Sequence, residues 1–168
     1  MKKIILFVIL LLIASCKDDI NSSKELLFNS ENILKLSIDD LNTFWQEDSI
    51  WFSVNPTAFF ENYEGFLKNS RYESETHKVI EINVFQSKQI AINAMEEFRT
   101  LISAITLEGD PKNYFGERWW YIQGSSFRSI WVNKYNTIIF VSNSSSEDDN
   151  ITINTATEIL GRIESLSE

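Results

Sequence analysis

The chain has 168 residues, and its 24 acidic residues outnumber 15 basic ones, which gives a formal net charge of −9. An acidic chain lacks the basic face that binding to nucleic acid requires, so we expect no nucleic-acid partner. The single cysteine excludes an internal disulfide and a thiolate zinc site, and we expect no metal and no other cofactor.

The N-terminus joins a basic start to a short apolar run. Lys2 and Lys3 precede an uninterrupted apolar stretch over residues 4–13, and Ala14, Ser15 and Cys16 follow it. This order is typical of a secretory signal peptide. The apolar run is far shorter than the ~20 residues that a membrane-spanning helix needs.

The end of this run, Ile13-Ala14-Ser15-Cys16, resembles the lipobox of bacterial lipoproteins: an aliphatic residue, two small residues and a cysteine. The resemblance implies that the Cys16 sulfur receives a diacylglyceryl group and that residues 1–15 are removed as the signal peptide. The freed amine would then accept a further acyl chain such as palmitate. Several chains anchor a protein stably, because each buried methylene contributes ~0.8 kcal/mol.

The residues after Cys16 bear on where the protein is anchored. Lys17 occupies the position at which an Asp marks inner-membrane retention in some bacterial lipoproteins. Lys17-Asp18-Asp19 resembles the export tag of surface-exposed lipoproteins in certain Gram-negative groups. The resemblances imply a cell-envelope protein at the outer membrane, and surface exposure if the tag is functional. The alternative is that residues 17–24 are simply a solvated tether.

Residues 16–30 are accordingly assigned to the lipidated cysteine and its tether, and residues 31–168 to one domain. Apolar residues at helical spacing predict a helix within residues 32–46, with Ser37 as its N-cap. A short alternating strand is predicted within residues 49–54. Asn55 and Pro56 predict the start of a second helix that reaches about Lys68. Residues 69–76 are polar and predict a loop.

A strand, a long helix and a three-stranded meander follow. Alternation predicts a strand over residues 78–85, and an apolar stripe predicts a helix over residues 88–105. Strands are predicted over residues 117–123, 127–134 and 137–141, paired antiparallel because their turns are short. A last helix covers residues 151–166. This order favours an α+β domain, with an antiparallel sheet of about four strands, helices mainly on one face and a helical N-terminal segment.

The sequence offers few groups for catalysis, and we expect no enzymatic activity. His77 is the single histidine, and its place between a polar loop and a strand favours a solvated side chain. No Gly-x-Ser-x-Gly motif and no phosphate-binding glycine loop occurs. Glu147-Asp148-Asp149, followed by Asn150, lacks the alternate acid spacing of a calcium loop and favours a solvated turn.

Aromatic residues in the predicted meander are the candidate contact site. Alternation places Trp119 on one face of its strand and Trp120 on the other, with Trp131 on the next strand. Exposed rings beside Arg118 or Arg128 could contact a sugar or a protein partner. The alternative is that helices bury one face of this hairpin and the N-terminal segment buries the other.

Three functions are compatible with these features. The first is a non-enzymatic binding or accessory module, held on the membrane by its lipid, with a protein or glycan partner. The second is an acidic inhibitor or immunity-type protein, because 13 basic and 24 acidic residues after removal of the signal peptide leave a net charge of −11. A hydrolase is the least supported, because no general acid and base can be placed.

Replacement of Cys16 tests the anchor. Cys16→Ser should leave an uncleaved or soluble precursor, because serine offers no thiol for diacylglyceryl transfer. Metabolic labelling with a fatty-acid analogue, followed by membrane fractionation, measures the effect. Label incorporated into the serine variant in the membrane fraction would contradict the lipoprotein interpretation.

Overall fold

The computed structural model describes residues 26–102, 118–123, 126–144 and 149–167, so Cys16, the predicted signal peptide and the acidic residues 147 and 148 lie outside the described residues. The described residues form a six-stranded sheet in the spatial order β1-β2-β3-β6-β5-β4. All neighbouring strands are antiparallel. The strands are β1 (Trp51–Ser53), β2 (Phe66–Ser74), β3 (Val79–Phe85), β4 (Arg118–Gln123), β5 (Arg128–Lys134) and β6 (Thr137–Asn143).

Four α-helices accompany the sheet in the described part of the chain. They are α1 (Ile38–Trp45), α2 (Ala58–Glu61), α3 (Lys88–Ile102) and α4 (Asp149–Ser167), and a 3-10 turn covers Ser30–Asn32. The α+β class and the β4-β5-β6 meander are therefore confirmed. The sheet has six strands rather than about four, because β1 pairs into it and a further strand follows α2.

The predicted N-cap of α1 is present as a full capping box. The Ser37 hydroxyl accepts a hydrogen bond from the Asp40 backbone N–H, and the Asp40 carboxylate accepts one from the Ser37 N–H. Both interactions satisfy backbone donors that a helix start leaves free. Gln46 ends the helix in the left-handed conformation, with a φ of 54°.

The prediction of a helix reaching Lys68, followed by a polar loop, is wrong. α2 ends at Glu61, and β2 begins at Phe66. Gly65 lies between them at a φ of +82°, a conformation that favours glycine. A Cβ at this position would also lie only 2.8 Å from Ile90 Cδ1. The rings spaced like a helical stripe instead belong to an aromatic cluster around Phe85, with Phe66 on a strand.

The helices cover both faces of the sheet, which corrects the prediction that they lie mainly on one. The first face holds a core with α1, α4 and the N-terminal segment, formed by residues that include Phe28, Leu36, Trp45, Ile82, Ile130 and Ile159. The second face packs against α2 and α3, with a core that includes Phe60, Phe85, Ala94, Met95, Trp120 and Trp131. The chain thus forms three layers, with the sheet in the middle.

Buried Asn136 connects the N-terminal segment to the sheet. Its side-chain amide donates to the carbonyls of Phe28 and Phe85, at 3.1 and 2.7 Å, and its oxygen accepts from the Phe28 N–H at 2.6 Å. Asn136 lies in the β5–β6 turn and is 2% exposed. One amide therefore satisfies three backbone groups from two distant parts of the sequence.

An ion pair connects the two helices on the first face. Arg162 Nη2 of α4 lies 2.9 Å from Asp40 Oδ1 of α1. The hydrogen bond from Arg162, with support from the Ser37 backbone N–H, lowers the pKa of Asp40 from 3.8 to about 2. The carboxylate therefore contributes stability that is complete above about pH 4 and is lost as the pH falls towards about 2.

Replacement of Arg162 tests this contribution without disturbing the capping box. Arg162→Gln should lower the free energy of unfolding at neutral pH by about 1 kcal/mol, the upper range for a partly exposed pair. The difference from the unmodified chain should shrink as the pH falls through about 2, because Asp40 then becomes protonated in the folded state too. Urea denaturation at both pH values measures it. A difference that persists in acid would assign the effect to the packing of Arg162 on Phe44.

Candidate functional site

The strands at one edge of the sheet differ in length, and this difference leaves part of β2 open. β2 has nine residues and β1 has three, which pair with Tyr72, Glu73 and Ser74. One further bond, from the Val54 N–H to the Arg71 carbonyl at 3.0 Å, extends this contact. No described strand pairs with residues 66–70 on their outer side.

A groove of about 690 Å³ runs along this open edge, here called the β2 groove. Its floor is residues 68–72 of β2, one wall is formed within residues 30–36, and the other is residues 53–56. The first wall is tied to the floor by two hydrogen bonds. The Leu36 N–H donates to the Tyr72 hydroxyl at 3.1 Å, and the Ser70 hydroxyl donates to the Leu34 carbonyl at 3.2 Å.

The second wall is tied to the floor through a buried carboxylate. Glu81 of β3 is fully buried and pairs with Arg71, the residue opposite it on β2, at 2.5 Å. The Thr57 hydroxyl donates to the same carboxylate at 2.6 Å, and the Thr57 N–H donates at 3.3 Å. Thr57 is the N-cap of α2 and follows directly on the wall residue Pro56.

This arrangement satisfies the buried charge of Glu81. The carboxylate accepts bonds from a guanidinium, a hydroxyl and a backbone N–H, which is the condition for holding an ion away from water. Its role in the groove is structural: it fixes Arg71 and the start of α2 relative to one another. Both walls are therefore held in place before any ligand arrives.

The lysines of the β2 groove give it a charge opposite to that of the whole chain. Lys35 from one wall and Lys68 from the floor are exposed, and neither forms an ion pair within the described residues. Arg71 also contributes to the lining, and Glu31 is the acidic residue there. In a chain of net charge −9, this local basic excess favours an anionic ligand.

Two amides lie opposite each other at the same edge of the sheet. Asn83 of β3 is completely buried, and neither atom of its amide has a hydrogen-bond partner in the described part of the chain. Asn69, directly across on β2, has a buried amide nitrogen in the same condition. Groups of this kind usually bind an ordered water. Of the two residues, Asn69 lines the groove and Asn83 lies beneath it in the sheet.

The structure separates the predicted tryptophans. Trp120 and Trp131 face each other across β4 and β5, are each 7% exposed, and have ring centroids 4.9 Å apart. Trp131 also stacks on Phe140. Trp119 lies on the opposite face, half-buried against the first core. Two of the three rings are therefore core residues. Both faces of β5 contact helices, α4 on the first and α3 on the second, whereas the alternative prediction placed the N-terminal segment over one face.

The two predicted arginines do not accompany these rings as a shared surface. Arg118 is half exposed, and its guanidinium lies 2.6 Å from the Glu96 carboxylate of α3. Arg128 is 8% exposed, and one of its nitrogens donates to the neighbouring Phe127 carbonyl. Both arginines are thus held in contacts within the domain.

His77, the single histidine, is solvated, as predicted. Its side chain is 79% exposed and lies 3.6 Å from the Glu73 carboxylate. Within the described ranges, no group of three or more His, Cys, Asp or Glu residues is placed to hold a metal ion. No helix in the same ranges is both long enough and apolar enough to cross a membrane.

Comparison with known proteins yields a fold but no family. No protein-family model and no curated protein sequence matches the chain. A solved structure does match: the extracellular domain of PknH from Mycobacterium tuberculosis, with a TM-score of 0.57 and 9% sequence identity. The alignment covers 84% of this chain and 99% of that domain. At this identity the match shows a shared fold.

The β2 groove was not predicted from the sequence, because its floor was assigned to a helix end and a loop. One signal was present. Residues 68–73, Lys-Asn-Ser-Arg-Tyr-Glu, contain neither proline nor glycine, which a long loop usually carries. Their polar character follows from the buried Arg71–Glu81 pair and from the open edge, where no apolar side chain is required.

Truncation of two tryptophans distinguishes core from surface. Trp131→Ala should lower the free energy of unfolding by ~3–5 kcal/mol, because it removes a ring packed against Trp120 and Phe140. Trp119→Ala, on the opposite face, is the matched comparison and should cost less, because that ring is half-buried. Chemical denaturation measures both. Equal losses for the two variants would contradict the unequal burial.

Proposed function

We propose that the chain is a lipid-anchored, non-enzymatic binding module of the bacterial cell envelope, and that the β2 groove is its binding surface. The observation that carries the proposal is a groove of about 690 Å³ whose two walls are fixed by hydrogen bonds to its floor. Pre-formed concave sites of this size are typical of binding surfaces. The lipobox resemblance at Cys16 supports the anchoring.

The anchor and the groove are separated by a short tether. Residues 17–25 lie between Cys16 and the first described residue, Leu26. A chain of this length spans at most about 3.5 Å per residue, roughly 30 Å in total. The proposal therefore places the groove close to the membrane and its partner within the same envelope layer. The outer membrane is the proposed location, on the grounds of Lys17 after the lipidated cysteine.

The shared fold with an extracellular domain supports a position outside the cytoplasm. The domain of PknH is described as extracellular, and its fold covers most of this chain.

A non-enzymatic role fits the composition of the groove. The charged residues of its lining are Lys35, Lys68, Arg71 and Glu31, and Arg71 forms an ion pair with Glu81. These residues do not form a paired general acid and base. The exposed histidine lies at the turn that follows β2, away from the groove lining. An acidic inhibitor or immunity-type protein remains the second candidate. The net charge of −11 after signal removal favours it, and such a protein would bind a basic target on another surface.

Site-specific photo-crosslinking tests the proposed surface in the cell envelope. p-Benzoylphenylalanine in place of Asn55, an exposed wall residue, should yield adducts with envelope components after irradiation of whole cells. The control carries the same group in place of Gln89, an exposed residue of α3. We expect defined adducts from the Asn55 position and few from the Gln89 position.

The adducts also separate the candidate functions. Equal patterns from the two positions would contradict the β2 groove as the binding surface. Adducts confined to the Gln89 position would favour an inhibitor that acts through another face. Fractionation of the same cells reports whether the adducts travel with the outer membrane.

A further inference from the structure

We propose that the β2 groove binds an acidic, extended peptide segment, which adds to β2 as a further antiparallel strand where β1 stops. This inference rests on the proposed binding function and names its ligand class. Three features of the groove carry it: open backbone groups, lysines on one side and apolar wall residues on the other.

The backbone of β2 is positioned to accept a strand. Alternate residues of a strand direct their N–H and C=O groups to opposite sides. The Arg71 carbonyl points outward, because it accepts the bond from Val54. The same alternation directs the N–H and C=O of Asn69 outward, beyond the end of β1. On its inner side β2 pairs with β3 from Lys68 to Glu73, with a bulge between Phe66 and Lys68, so its extended conformation from Lys68 onward is fixed before a ligand binds.

The lysines define one face of the added strand. Lys68 lies opposite Val84, whose side chain belongs to the core under the N-terminal segment. Lys68 is therefore on the side of the wall that carries Lys35. A peptide strand in the groove would direct every second side chain towards these two ammonium groups. Carboxylates at those alternate positions would form charge-assisted hydrogen bonds.

The other wall defines the second face. Val54 and Pro56 are half-buried and line the groove on the side away from Lys35. The remaining alternate side chains of a bound strand would pack against them. The preferred ligand thus alternates acidic residues with small apolar ones. The regular part of the open edge is residues 68–70, because a bulge lies between Phe66 and Lys68, so the addition is limited to about three residues, a short strand.

A second copy of the same chain is a poor occupant. Pairing of two identical edges would bring the lysines of both copies into one groove, and like charges on facing strands are unfavourable. A single edge lysine can serve to block aggregation. Here a second lysine and two walls held by hydrogen bonds surround the edge, and blocking alone requires neither.

Fluorescence anisotropy with defined peptides tests the proposal. The protein is the full mature lipidated chain in neutral detergent, and the probe is a fluorescein-labelled peptide of alternating Glu and Val. Two comparison peptides complete the set: one of alternating Lys and Val, and the acidic peptide with its valine backbone nitrogens methylated, because those nitrogens would face β2. The acidic peptide should bind. The lysine and methylated peptides should bind at least about tenfold more weakly, because one loses the charge pairs and the other the backbone bonds.

The matching test changes the protein instead of the peptide, by reversing the charge of the two groove lysines. The double variant Lys35→Glu and Lys68→Glu should lose at least about tenfold in affinity for the acidic peptide. The control is Arg99→Glu, which reverses an exposed charge on α3, beside Trp120 of the edge strand β4. This variant should bind the acidic peptide as tightly as the unmodified chain does. Circular dichroism and thermal melting of each variant report whether it is folded, and Lys35→Gln with Lys68→Gln gives a milder pair.

Each other outcome overturns the inference. Equal binding of the methylated peptide would exclude strand addition, and equal binding of the lysine peptide would exclude the charge argument. A dimer that sedimentation detects, and that the double variant abolishes, would identify a second copy as the occupant. No binding of any peptide would reject this ligand class. Crosslinks from the Asn55 position would still support the binding function in that case, so the two proposals fail separately.

Discussion

The ion pair between Arg71 and Glu81 is the interaction on which this edge of the domain depends. It joins β2 to β3 at a position where both side chains point to the second face of the sheet. The same carboxylate holds the Thr57 hydroxyl and N–H, and so sets the start of α2. Removal of the Arg71 charge would leave the Glu81 carboxylate buried without its guanidinium partner, which is strongly unfavourable. Strand pairing, helix start and groove wall are therefore one unit.

Helices, their caps and short turns could be predicted from the sequence wherever the local residue pattern matches the way the element packs in the core. Ser37 with Asp40, the stripe of α3 and the short turns of the meander each specify their element locally. β2 could not be read in this way. A strand whose second-face side chain is a partly buried arginine does not show apolar alternation, and the carboxylate that pairs with it lies on another strand. The open edge adds further polar residues, because it has no neighbour to cover.

The aromatic hairpin shows the opposite case. Alternation correctly predicted the faces on which the tryptophans lie, but the exposed contact surface inferred from it is not present, because Trp120 and Trp131 are buried. Trp119 and Trp120 do lie on different faces, and Trp131 does pair with Trp120. The sequence does not state which elements cover each face. Residues that precede β1 cover the first face together with α4, and α3 with α2 cover the second. A prominent cluster of tryptophans is thus a core feature here, while the candidate site consists of ordinary polar residues on an edge.

The charge of the whole chain and the charge of the groove act at different distances. The net charge of −9 repels an acidic peptide at long range, although physiological salt screens this repulsion beyond ~8 Å. Lys35 and Lys68 attract carboxylates at contact, where screening by salt is weak. An acidic ligand that does not fit the groove meets the repulsion alone, whereas one that extends along β2 also gains the two lysines and the backbone bonds. On the proposed function, negative charge alone is therefore not enough to select a partner. Negative charge is attracted at the open edge of β2 and repelled over the rest of the surface, so a partner must also have the extended shape that fits the groove.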